Sequence, residues 1–147
     1  MTNLESRIAR IEDIESIRAL KHRYAELCDD RYRPVALAEL FTEDGVWDGG
    51  SDYGCHTGRE EIEAYWRQCA ANIPFAIHLI VNHTIEVTTP GSAAHGWCNL
   101  FQPMTMNSSA YWAGVRYDEE YRVEGGSWKF RRISLTTRML APHAEGW

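Results

Sequence analysis

"FAIHLIVNHTIEVTT", residues 75–89, is the stretch at which the spacing of apolar residues changes from the helical period of about 3.6 to the strand period of about 2. The segments "AHGWCNLFQPM", "SAYWAGVRYDEEYRV" and "WKFRRISLTTRML" continue the alternation. The turn sequences "PGS" and "EGGS" lie between neighbouring segments. The second half of the chain is therefore predicted to form an antiparallel sheet.

The residues before position 75 are predicted to be mainly helical. Apolar residues recur every three or four positions from Leu4 to Leu27, which indicates one long amphipathic helix. A short second helix is predicted to start at Pro34, and "FTEDGVWDGGSDYGCHTG" adds a brief strand and a glycine-rich loop before a third helix. Two capping boxes are predicted at the starts of the first and third helices: Thr2 with Glu5, and Thr57 with Glu60.

Helices followed by strands with short connections favour an α+β fold in which a curved sheet wraps around the helices. At 147 residues, with 44% hydrophobic residues, the chain is predicted to form a single domain over residues 1–147, with a core large enough for an internal pocket. The net charge is −6 and the basic residues are scattered, so we do not expect a nucleic-acid partner.

The start of the chain has neither the basic nor the apolar region of a signal peptide, and the four cysteines form no CxxC pair. No apolar run approaches the ~20 residues that a membrane span needs. We therefore expect a cytoplasmic protein with free thiols and no membrane partner.

Strict alternation along residues 75–89 places the two histidines of this segment on opposite faces. His83 interrupts the more apolar row and is expected to be a core or interface histidine. His78 has Ala76 and Ile80 as neighbours on its face, which is typical of a pocket wall. A half-solvated strand face is the alternative interpretation for His78.

A catalytic histidine needs a partner that fixes its tautomer, and a carboxylate usually provides this. Near the end of the first helix, Tyr24, Ala25, Cys28 and Asp29 lie within about 140° of the helix surface. The small Ala25 and Cys28 leave space between the two polar groups. The alternative is that Asp29 only begins a solvated loop, although a carboxylate at a helix C-terminus is electrostatically unfavourable.

The arrangement resembles the SnoaL-like branch of the nuclear transport factor 2-like superfamily, especially its dehydratase-type members: scytalone dehydratase, bile acid 7α-dehydratase and hexachlorocyclohexane dehydrochlorinase. The similarity is carried by "IESIRALKHRYAELCDD", "FTEDGVW", "GREEIEAYW", "IHLIVNHTIEV", "YDEEYRVEGGSWKF" and the tail "APHAEGW". It implies a cystatin-like cone in which a curved mixed or antiparallel sheet encloses three N-terminal helices.

The resemblance also implies a site. Asp29 and His78 match the catalytic Asp and His of these families, Tyr24 matches a pocket Tyr of bile acid 7α-dehydratase, and Trp47 matches a pocket Trp of the dehydrochlorinase. The dehydrochlorinase has a Lys at the Tyr24 position, which argues against halide chemistry. The further substrate-binding residues that we predict are Ala25, Cys28, Ile80 and Arg131.

Two departures from the family pattern matter. The position that carries the second pocket acid in bile acid 7α-dehydratase corresponds to the neighbourhood of the apolar Phe101, so this acid is missing here. The last-strand Arg of these enzymes has three candidates, Arg131, Arg132 and Arg138. We select Arg131 because it shares strand parity with Ile133, with a solvated surface position as the alternative.

The resemblance, together with these residues, implies a cofactor-free dehydratase-type lyase for a small apolar cyclic hydroxy or keto substrate. His78 would abstract a proton from carbon, Asp29 would orient and stabilise the imidazole, raising its pKa, and Tyr24 would donate a hydrogen bond to the departing or developing oxygen. A ketosteroid-isomerase-like isomerase or a polyketide cyclase is the alternative. A noncatalytic subunit, the third possibility, predicts a filled interior.

No metal is expected, because the histidines lack HxH or HExxH spacing and the acids Asp44, Asp48 and Asp52 do not match a calcium loop. The resemblance to the dehydratase-type members implies a homotrimer, with a dimer as the second possibility. The aromatic alternation of "YWAGVRY" suits such a contact.

Overall fold

The computed structural model describes residues 2–146, so Met1 and Trp147, the last residue of the tail that carries part of the resemblance, lie outside the described residues. The helices are α1 (Asn3–Asp29), α2 (Pro34–Ala38), α3 (Gly50–Tyr53) and α4 (Gly58–Asn72). The strands are β1 (Phe41–Asp48), β2 (Cys55–Thr57), β3 (Phe75–Ala76), β4 (Leu79–Thr89), β5 (Ala93–Met106), β6 (Ser109–Glu124) and β7 (Ser127–Pro142).

The strands form one strongly curled sheet in the order β2, β1, β7, β6, β5, β3, with β4 also paired to β5. All neighbours are antiparallel except β1 and β7, which are parallel, so the predicted α+β fold with a mixed sheet is confirmed. The buried faces of α1 and α4 pack against the concave side of the sheet. Across residues 2–146, no helix combines the length and apolar character needed to cross a membrane.

The region between β1 and α4 differs from the predicted glycine-rich loop. It contains the one-turn helix α3 and the short strand β2, so the chain has four helices within residues 2–146 instead of the three predicted. Gly50 and Gly54, at φ of 66° and 78°, permit the turns on either side of α3.

Only the first of the two predicted capping boxes forms. At α1, Glu5 N–H donates to Thr2 Oγ1 at 3.1 Å and Thr2 N–H donates to Glu5 Oε2 at 2.6 Å. The predicted box of Thr57 and Glu60 is wrong, because Glu61 accepts the Thr57 N–H at 2.7 Å. Thr57 is held in an extended conformation by its pairing with Val46 in β1.

The strand that carries the two histidines is interrupted at Ile77 and His78 and has an irregular register between Val81 and Thr84. Asn82 has a φ of 55° at this irregularity. An extra residue in one strand reverses which face the later residues point to. His78 and His83 therefore both face the interior, and the prediction that they lie on opposite faces is wrong.

The left-handed backbone of Asn82 predicts a specific effect on stability. Replacing Asn82 with Ala should lower the free energy of unfolding by about 1 kcal/mol, because Ala tolerates positive φ poorly. Asn82→Gly should retain the stability of the parent chain, since glycine adopts this conformation readily. Denaturant titration of both variants measures the difference. Equal stability of the two variants would contradict the described backbone.

Candidate functional site

The end of α1 positions the acid of the site. Arg31 and Tyr32 follow the helix with φ of 60° and 49°, and Arg33 N–H donates to Leu27 O at 3.1 Å. These two left-handed residues turn the chain back on the helix and bury Tyr32 in the interior. Asp29 remains at the last helical position, facing the interruption between β3 and β4.

Asp29 contacts His78 in two places. The imidazole Nδ1 lies 2.7 Å from Asp29 Oδ1, and the His78 backbone N–H donates to the same oxygen at 2.8 Å. The His78 side chain is only 4% exposed, whereas that of Asp29 is 35% exposed. A carboxylate at Nδ1 favours the tautomer with its proton on Nδ1, which leaves the Nε2 lone pair available. The two hydrogen bonds also compensate for the unfavourable position of Asp29 at the helix C-terminus.

The pKa of His78 is lowered from its usual value, and burial is the main cause. The hydrogen bond and the charge of Asp29 act in the opposite direction, while the charge of Lys21 lowers the pKa further. The predicted net increase in this pKa is therefore wrong, because desolvation outweighs the carboxylate. A lowered pKa keeps the imidazole neutral at pH 7, which is the form that accepts a proton.

A cavity with a volume of about 70 Å³ opens beside His78. Most of its wall is aromatic or apolar, and His78 and Gln102 are polar groups within it. The aromatic residues that line it are Tyr24, Tyr32, Trp47, Tyr53, Tyr65, Trp66 and Tyr117. Such a lining fits a small cyclic molecule with few polar atoms.

Tyr24 and Trp47, two of the predicted pocket residues, line this cavity and contact each other. The Trp47 indole N–H donates to the Tyr24 hydroxyl at 3.2 Å. The Tyr24 hydroxyl also forms a hydrogen bond with the hydroxyl of Tyr117, which lines the same cavity. Burial raises the pKa of Tyr24 well above its usual value, so the phenol stays protonated.

Arg131 lies outside the cavity. Its half-buried guanidinium donates to Asp44 O at 2.9 Å. The register between β6 and β7 shifts so that Tyr121 pairs with Phe130 and Glu120 pairs with Arg132. Arg131 is the extra residue of this bulge, and the parity argument that assigned it to the pocket is wrong for this reason.

The other three predicted substrate-binding residues are not part of the described cavity wall. Ala25 and Cys28 are buried in the core on α1, and Ile80 is half-buried on β4. Small residues on a helix face did not create space here, since neighbouring aromatic rings fill it: Tyr24 and Tyr32 both lie in the same core cluster as Cys28.

Tyr32 and Gln102 are polar residues of the wall that the sequence analysis did not identify. Gln102 Nε2 donates to the Tyr32 hydroxyl at 3.2 Å, and the Tyr32 ring meets the His78 ring edge-on at 5.8 Å between centroids. Alternation along β5 would have revealed Gln102, because it interrupts an inward apolar row between Leu100 and Met104. Phe101 faces the opposite side and stacks on Trp112.

Of the three acids considered for a calcium loop, two form ion pairs and one is exposed to solvent. Asp44 pairs with Arg131, Asp48 pairs with Arg132, and Asp52 is exposed. In the described part of the chain, no group of three or more His, Cys, Asp or Glu side chains is arranged to hold a metal ion.

The sequence matches a family model described as a SnoaL-like domain over residues 9–134. The chain belongs to this SnoaL-like family. Among curated proteins, no relative matches it. Solved structures resemble this SnoaL-like chain closely in fold, at low sequence identity.

One of the similar solved structures is LinA, a hexachlorocyclohexane dehydrochlorinase, with a TM-score of 0.86 and 19% identity over 95% of each chain. A candidate scytalone dehydratase from Novosphingobium aromaticivorans has a TM-score of 0.83 and 19% identity, covering 92% of this chain and 90% of the other. An NTF2-like protein with a cystatin-like fold, from the same species, has a TM-score of 0.73 and 25% identity over 94% and 90%. These similarities confirm the nuclear transport factor 2-like, cystatin-like fold.

Proposed function

We propose that the protein is a cofactor-free lyase that eliminates water, or another small leaving group, from a small apolar cyclic hydroxy or keto substrate. The observation that carries this proposal is the 2.7 Å contact between His78 Nδ1 and Asp29 Oδ1 beside an aromatic cavity. Membership in the SnoaL-like family, whose fold neighbours include a dehydrochlorinase, supports lyase chemistry at the level of the family.

In the proposed reaction, His78 Nε2 takes a proton from a carbon beside the carbonyl of the substrate. The electron pair of the broken C–H bond forms an enolate, and its collapse forms the C=C bond as the neighbouring C–O bond breaks. Asp29 holds the imidazole and stabilises its charged form. Tyr24 donates a hydrogen bond to the developing enolate oxygen or to the leaving hydroxyl, and the proton on His78 completes the departing water.

The open cavity and the buried, neutral His78 do not fit a noncatalytic subunit, for which a filled interior is expected. An isomerase or a polyketide cyclase would use the same base without loss of water. The fold serves all three functions, so the chemistry of the product has to separate them.

Incubation with a panel of cyclic β-hydroxyketones in deuterated water tests the proposal. We expect a product whose mass is reduced by one water, detected by mass spectrometry, and no such product with the His78→Gln variant. Uptake of deuterium without loss of water would contradict the lyase and indicate an isomerase. If no member of the panel loses water or takes up deuterium, proton abstraction at this site is contradicted.

The pH dependence of the reaction follows from the pKa of His78. Because burial lowers this pKa from its usual value, the base stays neutral through neutral pH and becomes protonated only under more acidic conditions. We expect kcat/KM to be constant around pH 7 and above, and to fall as the pH drops below the usual histidine pKa of about 6.5. A rate that falls from pH 8 to pH 6.5 would contradict a neutral, buried base.

We also propose that the protein is a homotrimer, with a dimer as the alternative. Apolar side chains are exposed along one edge, with Phe75 51%, Leu79 48% and Val81 45% exposed. Light scattering after size exclusion should give the mass of a trimer, and Leu79→Glu with Val81→Glu should give a monomer. Ser51→Glu, at an exposed position on α3, is the control. A monomeric parent chain would contradict the proposal.

A further inference from the structure

A buried ion pair lies outside the cavity. The Lys21 side chain on α1 and the Glu119 side chain on β6 are both 0% exposed, and Lys21 Nζ donates to Glu119 Oε1. An apolar pair of similar size is often at least as stable as a buried ion pair. Packing alone therefore does not account for two opposite charges at these positions.

The negative end of the pair points away from the cavity. Glu119 Oε2 accepts the hydroxyl proton of Tyr121, and His83 Nε2 lies 3.0 Å from that hydroxyl and 3.7 Å from the carboxylate oxygen. Because the Tyr121 hydroxyl gives its proton to Glu119, it accepts one from His83 Nε2. The Glu119 charge is therefore stabilised by hydrogen-bond donors that do not line the cavity.

The positive end lies directly behind the wall. Lys21 Nζ is 3.6 Å from the centroid of the Tyr117 ring and 4.5 Å from that of the Tyr24 ring, and both rings line the cavity. An ammonium on the face of a phenol ring interacts with its π-electrons and makes the hydroxyl group a stronger hydrogen-bond donor. Fixed charges of this kind act strongly where water is excluded.

We propose that Lys21, held by Glu119, is a positioning residue that makes the cavity favour negative charge on a ligand oxygen through the hydroxyl groups of Tyr117 and Tyr24. The ligand class is an enolate or a phenolate, as opposed to its neutral analogue. This inference rests on the proposed lyase, because proton abstraction by His78 creates such an oxyanion. The charge of Lys21 also lowers the pKa of His78, which keeps the base neutral before the reaction.

The test compares an anionic ligand with a neutral ligand of the same shape. At pH 9, 4-nitrophenol is the anion and 4-nitroaniline is neutral, and calorimetry gives the dissociation constant of each. Removing the ammonium in the double variant Lys21→Met, Glu119→Gln should lower the affinity ratio of anion to neutral ligand by about tenfold. The affinity for 4-nitroaniline should stay the same, which shows that the cavity remains intact.

Two further variants complete the design. Arg59→Met with Glu124→Gln removes a half-exposed ion pair, whose side chains are 39% and 38% exposed. In this variant the affinity ratio of anion to neutral ligand should match that of the parent. Tyr117→Phe should lower the ratio even if the Lys21 double variant fails to fold. A ratio that stays within twofold of the parent in the folded variants overturns the inference and leaves the lyase proposal standing. If the parent binds neither ligand, the inference is overturned and the aromatic site of the proposed lyase is contradicted too.

Discussion

Replacing His78 with Gln is expected to lower the rate of dehydration, or of label uptake, by about 10² to 10⁴, which corresponds to roughly 3 to 5.5 kcal/mol of activation free energy. The amide of Gln can still donate to Asp29 but cannot accept a proton from carbon. The fold should be retained, because the new side chain is polar and of similar size. Product formation followed by mass spectrometry in parent and variant measures the effect.

His95→Gln is the matched control for this experiment. His95 is exposed on β5, pairs with Glu86 and does not line the cavity. Its replacement should therefore leave the rate unchanged. Asp29→Asn should also lower the rate, because the neutral amide stabilises the imidazolium less than a carboxylate does. A His78→Gln variant that retains a third of the parent rate would show that another group is the base.

Replacing Lys21 with Met alone is expected to lower the free energy of unfolding by about 3 to 5 kcal/mol, because it leaves the carboxylate of Glu119 buried without its cation. For a chain of this length the melting temperature should fall by roughly 6 to 20 °C. The double variant Lys21→Met, Glu119→Gln should recover most of this loss, since no unpaired charge remains. Calorimetry of the single and double variants measures both quantities.

The Lys21 prediction depends on the contact with Glu119 and not on catalysis. The variant pair Arg23→Met and Glu26→Gln serves as the comparison, because its side chains are 58% and 69% exposed and exposed ion pairs contribute about 1 kcal/mol or less. A Lys21→Met variant within about 1 kcal/mol of the parent would contradict the described burial of the pair.

The helix and strand order followed from periodicity, since α1 and the long strands β5, β6 and β7 carry clear patterns. The bulges at Asn82 and Arg131, two of several register shifts in the sheet, did not follow from it. At Asn82 and Arg131, one extra residue reverses the strand parity, and this reversed the predicted face of His83 and excluded Arg131 from the cavity. No local sequence signal marks these positions strongly, because the bulges depend on pairing with neighbouring strands.

The local settings of His78 and Asp29, a polar break in an apolar strand face and an acid at an unfavourable helix end, only suggested the two residues. The resemblance to the SnoaL-like family paired them. The cavity wall could be predicted only in part. Gln102 and Glu119 each interrupt an inward apolar row, and Lys21 does so on α1, so the pattern contained a signal for all three. Their partners are set by how α1 crosses the sheet, which the pattern does not specify.

The central claim is that His78 presents an unprotonated Nε2 to the cavity while Asp29 holds its Nδ1 proton. Nitrogen NMR of protein labelled at the histidine rings measures this directly at pH 7, with the His78→Gln variant identifying the signal. We predict the neutral tautomer with the proton on Nδ1. A doubly protonated ring, or a proton on Nε2 alone, would contradict the proposed base.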